Sequence, residues 1–372
     1  MHITVSAADL LSGATATLAA VPSKPPHPIL GAIVLDTAED STLQLSGFDY
    51  TTSARMRMPV QVLTPGKVAV SGRLLAQVAK LLPAKKNVTL MALDSQLVVQ
   101  TDRASFSLPL LDVRDFPRLP QPESSAFTVD PKDFAAAVTW AASAALSDTD
   151  GRAGARPGLT AISLTARPNV LDIEATDGNR IHSVTIGLDA GPDLERVSAL
   201  VPTKVLETTA SAIGAHERLG LHLGDTVTIA GDRLIRTTPV IDAEFPPVHK
   251  IFDKEPVGTV YVSVAELAGA LKRAATLSKT KSVRLTMTDN DSIVITGGSR
   301  DGFSDDAESS EEIDASLEGN PPNLLVNGGY LADALAGVDS QNVTLQLTGE
   351  TSPILANLTT TAFAVMPLRS LS

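Results

Sequence analysis

The 372-residue chain contains no cysteine. That absence excludes disulfides, thiol nucleophiles and thiolate metal sites at once, and it fits a reducing cytoplasm. Aromatic residues are only 3% of the composition, so a core has to be built from Val, Leu, Ile and Ala. No apolar run reaches the 18 or so residues of a membrane-spanning helix. The opening MHITVSAADLL has neither a basic n-region nor a continuous apolar h-region, so no secretory signal is expected. Phosphate loops of the G-x-x-x-x-G-K-[ST] type, G-x-G-x-x-G turns, G-x-S-x-G elbows and H-E-x-x-H helices are all missing. The six histidines show no metal-ligand spacing. The stretch from Asp301 to Asp314 lacks the ordered ligand positions of a calcium loop and reads as a flexible acidic loop. With 42 acidic against 30 basic residues the net charge is −12. This argues against a generally basic nucleic-acid coat but leaves room for a basic face on an acidic body. Neither catalysis, a metal nor a cofactor is expected.

What the chain does have is repetition. Ile3-Thr4-Val5, Phe127-Thr128-Val129 and Val260-Tyr261-Val262 each run straight into an Ala/Leu-rich helical stretch. A second segment recurs in step, from Val68, Ala199 and Leu324, and a third from Asn87, Leu219 and Asn342. The copies lie roughly 130 residues apart, which is the length of a domain rather than of a solenoid repeat. Three copies of one domain follow, over 1–125, 126–257 and 258–372. Leu43-Gln44-Leu45-Ser46 and Leu345-Gln346-Leu347-Thr348 alternate with the period of half-buried antiparallel strands. Leu74, Val78 and Leu81, and likewise Leu331, Leu335 and Val338, mark apolar helical stripes. The expected class is α+β, with two helices backing antiparallel sheets in each copy.

Two local motifs admit two readings each. Ala175-Thr176-Asp177-Gly178-Asn179-Arg180-Ile181 is either a tight two-residue hairpin turn or a turn that presents Arg180 to a partner. Ala364-Val365-Met366-Pro367-Leu368-Arg369 is either a last edge strand or a peptide-accepting surface.

Taken in order, Pro28-Ile29-Leu30-Gly31, Asp115-Phe116-Pro117, Ala-Thr-Asp-Gly-x-Arg at 175–180, Val201-Pro202-x-Lys204, Phe245-Pro246 and Val365-Met366-Pro367-Leu368-Arg369 span the chain. In these motifs and their spacing the chain resembles the bacterial β sliding clamp family, the processivity factors of replicative DNA polymerase III. The resemblance implies a non-catalytic, cytoplasmic, homodimeric ring of DNA-clamp domains around duplex DNA, without sequence specificity. Helices of about 10 Å width would leave a hole of roughly 9 Å with six in the ring and about 28 Å with twelve, and only the second admits a duplex.

The resemblance further implies a pocket for short client peptides carrying a Gln and an apolar pair. Clients would be the polymerase catalytic subunit, the clamp loader and other proteins with the motif. Carried over by position, its wall is Leu159, Thr176, Gly178, Asn179, Arg180, Ile181, Pro246, Lys250, Ile251, Asn327, Tyr330, Thr351, Pro353, Ala364, Met366, Pro367, Leu368 and Arg369. Arg180 would close one side with its stem, its guanidinium remaining wet. Asn179, Lys250 and Ser370 depart from the common family residues, so a specialised or duplicate clamp with altered ligand preference is the alternative reading. DNA-facing candidates are Lys24, Arg73, Lys204, Lys272, Arg273, Lys279 and Lys281, with an ordinary solvated charge as the competing reading of each. At the ring seam the resemblance sets Phe106 and Leu108 against Thr276 and Leu277, with Arg103 near Asp305, Asp306, Glu308, Glu311 and Glu312.

Overall fold

The computed structural model describes residues 1–37, 41–191, 194–214, 218–298 and 308–369. Strand leads directly into helix at each repeated segment. The strand His2–Ser6 enters α1 (Ala7–Leu18), where the Ser6 hydroxyl accepts from the Asp9 amide. The strand Gly66–Ser71 enters α2 (Gly72–Leu81) with Ser71 capping the Leu74 amide. The same succession gives α3 (Pro131–Ala142), opened by the Asp130 carboxylate on the amides of Lys132 and Asp133. It then gives α4 (Thr203–Ala210) after the strand Val197–Pro202. α5 (Val264–Thr276) is capped by Ser263, and α6 (Gly328–Leu335) by Asn327. Each cap satisfies an amide that the first helical turn leaves unpaired. All strand pairings are antiparallel where the register is resolved, as at His2–Ser6 against Asn87–Leu93 and Gly258–Ser263 against Asn342–Leu347. The class is α+β.

By contact density the chain forms two compact units, Met1–Ala135 with Gly187–Val240, and Ala136–Ile186 with Ile241–Ser372. In the first, Ile3, Leu10, Leu43, Leu45, Leu75, Leu90 and Leu97 are sealed from solvent in one core. Arg236 is buried there too, donating to the Ala16 and Val205 carbonyls and to the Thr208 hydroxyl. Burial lowers its pKa to about 10, so it stays charged at neutral pH. In the second unit α5 packs on α6. Trp140 stacks on His182 at 4.4 Å and donates its indole N–H to the Asp333 and Ala334 carbonyls. Gly337 faces that indole so closely that any β-carbon would collide with it.

Two sequence expectations are corrected here. Leu331, Leu335 and Val338 are buried, but Leu74 and Leu81 are exposed; α2 instead buries Leu75, Ala76, Val78 and Ala79. The apolar face of α2 is broad enough for two stripes, and packing selects the one beside that expected. Glu308–Asp314 is not loop: it opens the strand Glu308–Gly319 and is itself paired with Ser292–Gly298. Asp301, Asp305 and Asp306 lie outside the described residues.

Candidate functional site

Within the second unit, adjacent strands bring the expected pocket residues into register. The strand Arg180–Ala190 pairs with Thr361–Val365, setting Ile181 opposite Ala364. Ala364 in turn stands opposite Leu355 of the strand Ile354–Asn357. These three side chains cluster with Val248, and Phe245, Ile251 and Phe252 pack against them. The short 3-10 helix Val248–Ile251 therefore lies over an apolar strand face. Leu159, on the 3-10 helix Pro157–Thr160, is buried. Its neighbour Gly158 lies so near the Glu244 carbonyl that a β-carbon would sit 2.5 Å from it. Only glycine permits that approach.

The Asp177–Gly178 motif is a turn of three residues, not two, between the strands Val170–Thr176 and Arg180–Ala190. Gly178 adopts φ +88°, which a side chain would strain. The Thr176 hydroxyl takes the Gly178 amide and gives its own proton to the Arg180 carbonyl. The Asp177 carboxylate takes the amides of Asn179 and Arg180. The turn then anchors the C-terminal segment, because the Met366 amide donates to the Asn179 carbonyl at 2.8 Å. Two residues on, the Leu368 amide donates to the Leu325 carbonyl at 2.7 Å. Met366 and Pro367 are half-buried, and Leu368 and Arg369 are exposed.

Arg180 departs from expectation. Its side chain is only 11% exposed, and its guanidinium bridges Asp177 at 3.1 Å and Asp333 at 2.9 Å. It lies 4.0 Å above the Tyr330 ring, so it is held by two carboxylates and a π face. Asp333 escaped sequence reasoning, although it follows Tyr330 by one helical turn. Nothing in the sequence signals that Val248, Phe252 and Leu355 complete the apolar cluster. A second polar group lies close by. Glu174 is buried, accepts from the Ser183 hydroxyl at 3.0 Å and faces His249 at 3.5 Å. Burial pushes its carboxyl above the usual range.

The remaining expected residues are distributed as follows. Asn327 caps α6. Pro353 is buried ahead of the strand Ile354–Asn357, its carbonyl accepting from Thr348. Pro246, Lys250 and Thr351 are exposed. Lys24, Arg73, Lys204, Lys272, Arg273, Lys279 and Lys281 are all exposed. Arg73 donates to the Ser23 carbonyl, and Arg273 forks onto Glu311 at 2.6 and 2.9 Å. Glu311 is therefore engaged within its own chain, and Glu312 takes the Ser292 hydroxyl. Arg103 is exposed in the turn before the strand Ser105–Leu111. Phe106 is half-buried on that strand, whereas Leu108 is 5% exposed and belongs to the core, with no free surface to offer a seam. Thr276 ends α5, and Leu277 caps it with 44% of its surface exposed.

Comparison with known proteins places this geometry. The N-terminal domain of the DNA polymerase III beta subunit matches residues 1–120, and the C-terminal domain of that subunit matches 249–367. The "Beta sliding clamp" of Streptomyces coelicolor is 32% identical over 358 residues, covering 93% of this chain and 91% of its own. The "Beta sliding clamp homolog GriR" of Streptomyces muensis is 30% identical over 363 residues, covering 93% of each. Among solved structures, a Pseudomonas aeruginosa DnaN sliding clamp bound to griselimycin shares the fold with a TM-score of 0.84 at 24% identity, over 99% of both chains. The Bacillus subtilis sliding clamp shares it with a TM-score of 0.85 at 22% identity, over 100% of this chain and 99% of its own. The sequence relatives, matched along nearly their whole length, show that the chain belongs to the bacterial β sliding clamp family, the DNA polymerase III beta subunits.

Proposed function

We propose that the chain works as a homodimeric processivity ring of three clamp domains per subunit, spanning 1–125, 126–257 and 258–372. The ring encircles duplex DNA, touches phosphates rather than bases, and tethers the polymerase and other clients through the pocket around Arg180. It acts in the cytoplasm and catalyses nothing itself. No helix among the described residues is long and apolar enough to cross a membrane. The carrying observation is convergence: one turn orders Arg180, seats the 366–369 segment and borders the Ile181–Ala364–Leu355 face. An apolar face beside a strand-like tail and fixed polar groups suits an extended peptide with an apolar pair. Burying a Leu–Phe pair contributes on the order of 3–6 kcal/mol before ordering costs, enough for roughly micromolar binding. Lys24, Lys204, Lys272, Lys279 and Lys281 suit mobile phosphate contacts, while Arg73 is held by the Ser23 carbonyl and Arg273 by Glu311.

Deleting 366–372 removes the Met366 and Leu368 anchors. It is expected to abolish binding of a labelled Gln-Leu-x-Leu-Phe peptide in fluorescence polarisation while the dimer persists. Unchanged affinity would move the site elsewhere. Loading onto nicked circular DNA, release on linearisation, and longer polymerase products test the ring itself.

One observation favours a second reading. A protein named as a clamp homolog is nearly as similar to this chain, at 30%, as a clamp is, at 32%. Asn179 and Lys250 are exposed, and as pocket residues they would change ligand preference rather than fold. Under that reading the chain is a specialised paralogue. It would bind peptide yet fail to replace the principal clamp in a cell depleted of it.

A further inference from the structure

The sheet face beneath the 3-10 helix Val248–Ile251 changes character within a few residues. Side chains two apart on a strand share a face, so Ile181, Ser183 and Thr185 point the same way from the strand Arg180–Ala190. Ile181 joins Ala364, Leu355 and Val248 in the apolar cluster of the pocket. Ser183 and Thr185 instead donate to the carboxylates of Glu174 and Asp172, at 3.0 and 2.8 Å, on the strand Val170–Thr176. Both carboxylates are buried. Asp172 is matched by Arg167, which forks onto it at 2.7 and 2.8 Å. Glu174 is matched differently. Its Oε1 lies 3.5 Å from Nε2 of His249, whose own side chain is 69% exposed.

The 3-10 helix therefore straddles a boundary. Val248 and Ile251 pack on the apolar half of the face, and His249 reaches the polar half. A 3-10 turn this short has poor hydrogen-bond geometry and little stability of its own. This one has no side-chain cap. Its place is set by tertiary contacts, and apolar contact alone is non-directional. The polar contact to Glu174 supplies the missing fixed point. Burying a carboxylate is costly, and a sheet face needs none in order to be covered. Burial pushes the Glu174 carboxyl up, and the charge of His249 opposes that shift.

We propose that Glu174 and His249 form a latch that positions the helix Val248–Ile251 for peptide binding. The latch rests on the peptide pocket proposed above and gives that pocket two positioning residues. Glu174 is covered and acts through His249. With the helix pinned, Lys250 and Ile251 stand in place before a client arrives, so binding has less ordering to offset.

The test is fluorescence polarisation with the labelled Gln-Leu-x-Leu-Phe peptide on the whole chain, alongside hydrogen exchange of the peptide-free protein. His249→Ala alters an exposed position and should leave the melting temperature unchanged. It should weaken the peptide about fivefold. It should also speed exchange of the Phe252 amide, which donates to the His249 carbonyl at 3.1 Å. Glu174→Gln keeps the size and the Ser183 partner and should do the same. The double substitution should be no weaker than either single one, because both break one contact. His249→Arg supplies a permanent cation that can fork onto the carboxylate. It should keep the parental affinity, and lose it when combined with Glu174→Gln. Losses that add, His249→Arg as weak as His249→Ala, or unchanged affinity in His249→Ala while deletion of 366–372 abolishes binding would each overturn the latch and leave the pocket standing. A parent chain that binds no peptide would overturn the pocket and the latch together.

Discussion

His182 shows how much one side chain can decide. Its ring lies against Trp140, with Nδ1 within hydrogen-bonding distance of the Trp140 carbonyl at 3.0 Å and the Ser143 hydroxyl at 3.2 Å. Its Nε2 has no hydrogen-bond partner among the described residues. Burial pushes its pKa down to about 4, so the folded chain holds it neutral. A histidine with a lowered folded pKa binds fewer protons folded than unfolded. Its contribution is complete above about 6.5, the unfolded value, and is lost as pH falls toward 4. The full loss is on the order of 3 kcal/mol. Glu174 runs the other way: burial raises its pKa, so its contribution is present at low pH and fades as pH rises through the folded value. Urea denaturation at pH 7 and pH 5 separates the two. His182→Phe keeps a ring on Trp140 and should lose stability less steeply between those pH values than the parent chain. Parallel slopes would clear His182 of any role in acid sensitivity. None of this was legible in the sequence, where His182 was one of six histidines without spacing. A buried neutral imidazole leaves no local pattern because its partners, Trp140 and Ser143, are distant in the chain.

Elements were far more legible than their faces. The recurring strand, cap and helix were visible because Ser6, Ser71 and Ser263 sit where an extended run meets an Ala/Leu-rich one, and all three cap. Alternation identified the strands, since a one-residue error in strand phase inverts burial. A helix is less decisive. In α2 both Leu74–Leu81 and Leu75–Leu82 satisfy helical spacing, and the second is buried. The competing stripes are separable by substitution. Leu81→Glu, on a side chain 71% exposed, should leave stability within about 0.5 kcal/mol. Leu75→Ala empties a fully buried position and should cost about 2–5 kcal/mol in denaturant unfolding. The reverse order of effects would restore the other stripe. The pocket divides the same way. The turn motif and the Val-Met-Pro tail were readable as sequence. The ion pairs from Arg180 to Asp177 and Asp333, and the Tyr330 ring beneath, arise only when α6 comes against the turn. The guanidinium expected in water is therefore a fixed element of the wall. It braces the turn, and a ligand meets a site whose polar side is already built.

At the scale of the whole molecule, function rests on an assembly with a second subunit, and burial constrains which residues can build it. Family position paired Phe106 and Leu108 with Thr276 and Leu277. Leu108 fills the core of its own unit, opposite Leu97 across the sheet. An aspartate there would bury an unpaired charge and unfold the unit rather than separate the subunits. Leu277 is different. It closes α5 in helical conformation, its amide held by the Ala274 carbonyl at 3.3 Å, and 44% of its surface is open. An apolar side chain exposed at a helix end is suited to covering by a partner surface, and a small apolar centre with a charged rim allows a loader to open the ring. Leu277→Asp alone should then yield monomers in analytical ultracentrifugation, with an unchanged far-ultraviolet circular dichroism spectrum. The monomer should still bind the Gln-Leu-x-Leu-Phe peptide, because every pocket residue lies within the second unit of a single chain. It should give no processivity, because a half ring cannot enclose DNA. A Leu277→Asp protein that remains dimeric would remove the end of α5 from the seam. Monomers that also lost the peptide would show that the pocket depends on the partner subunit.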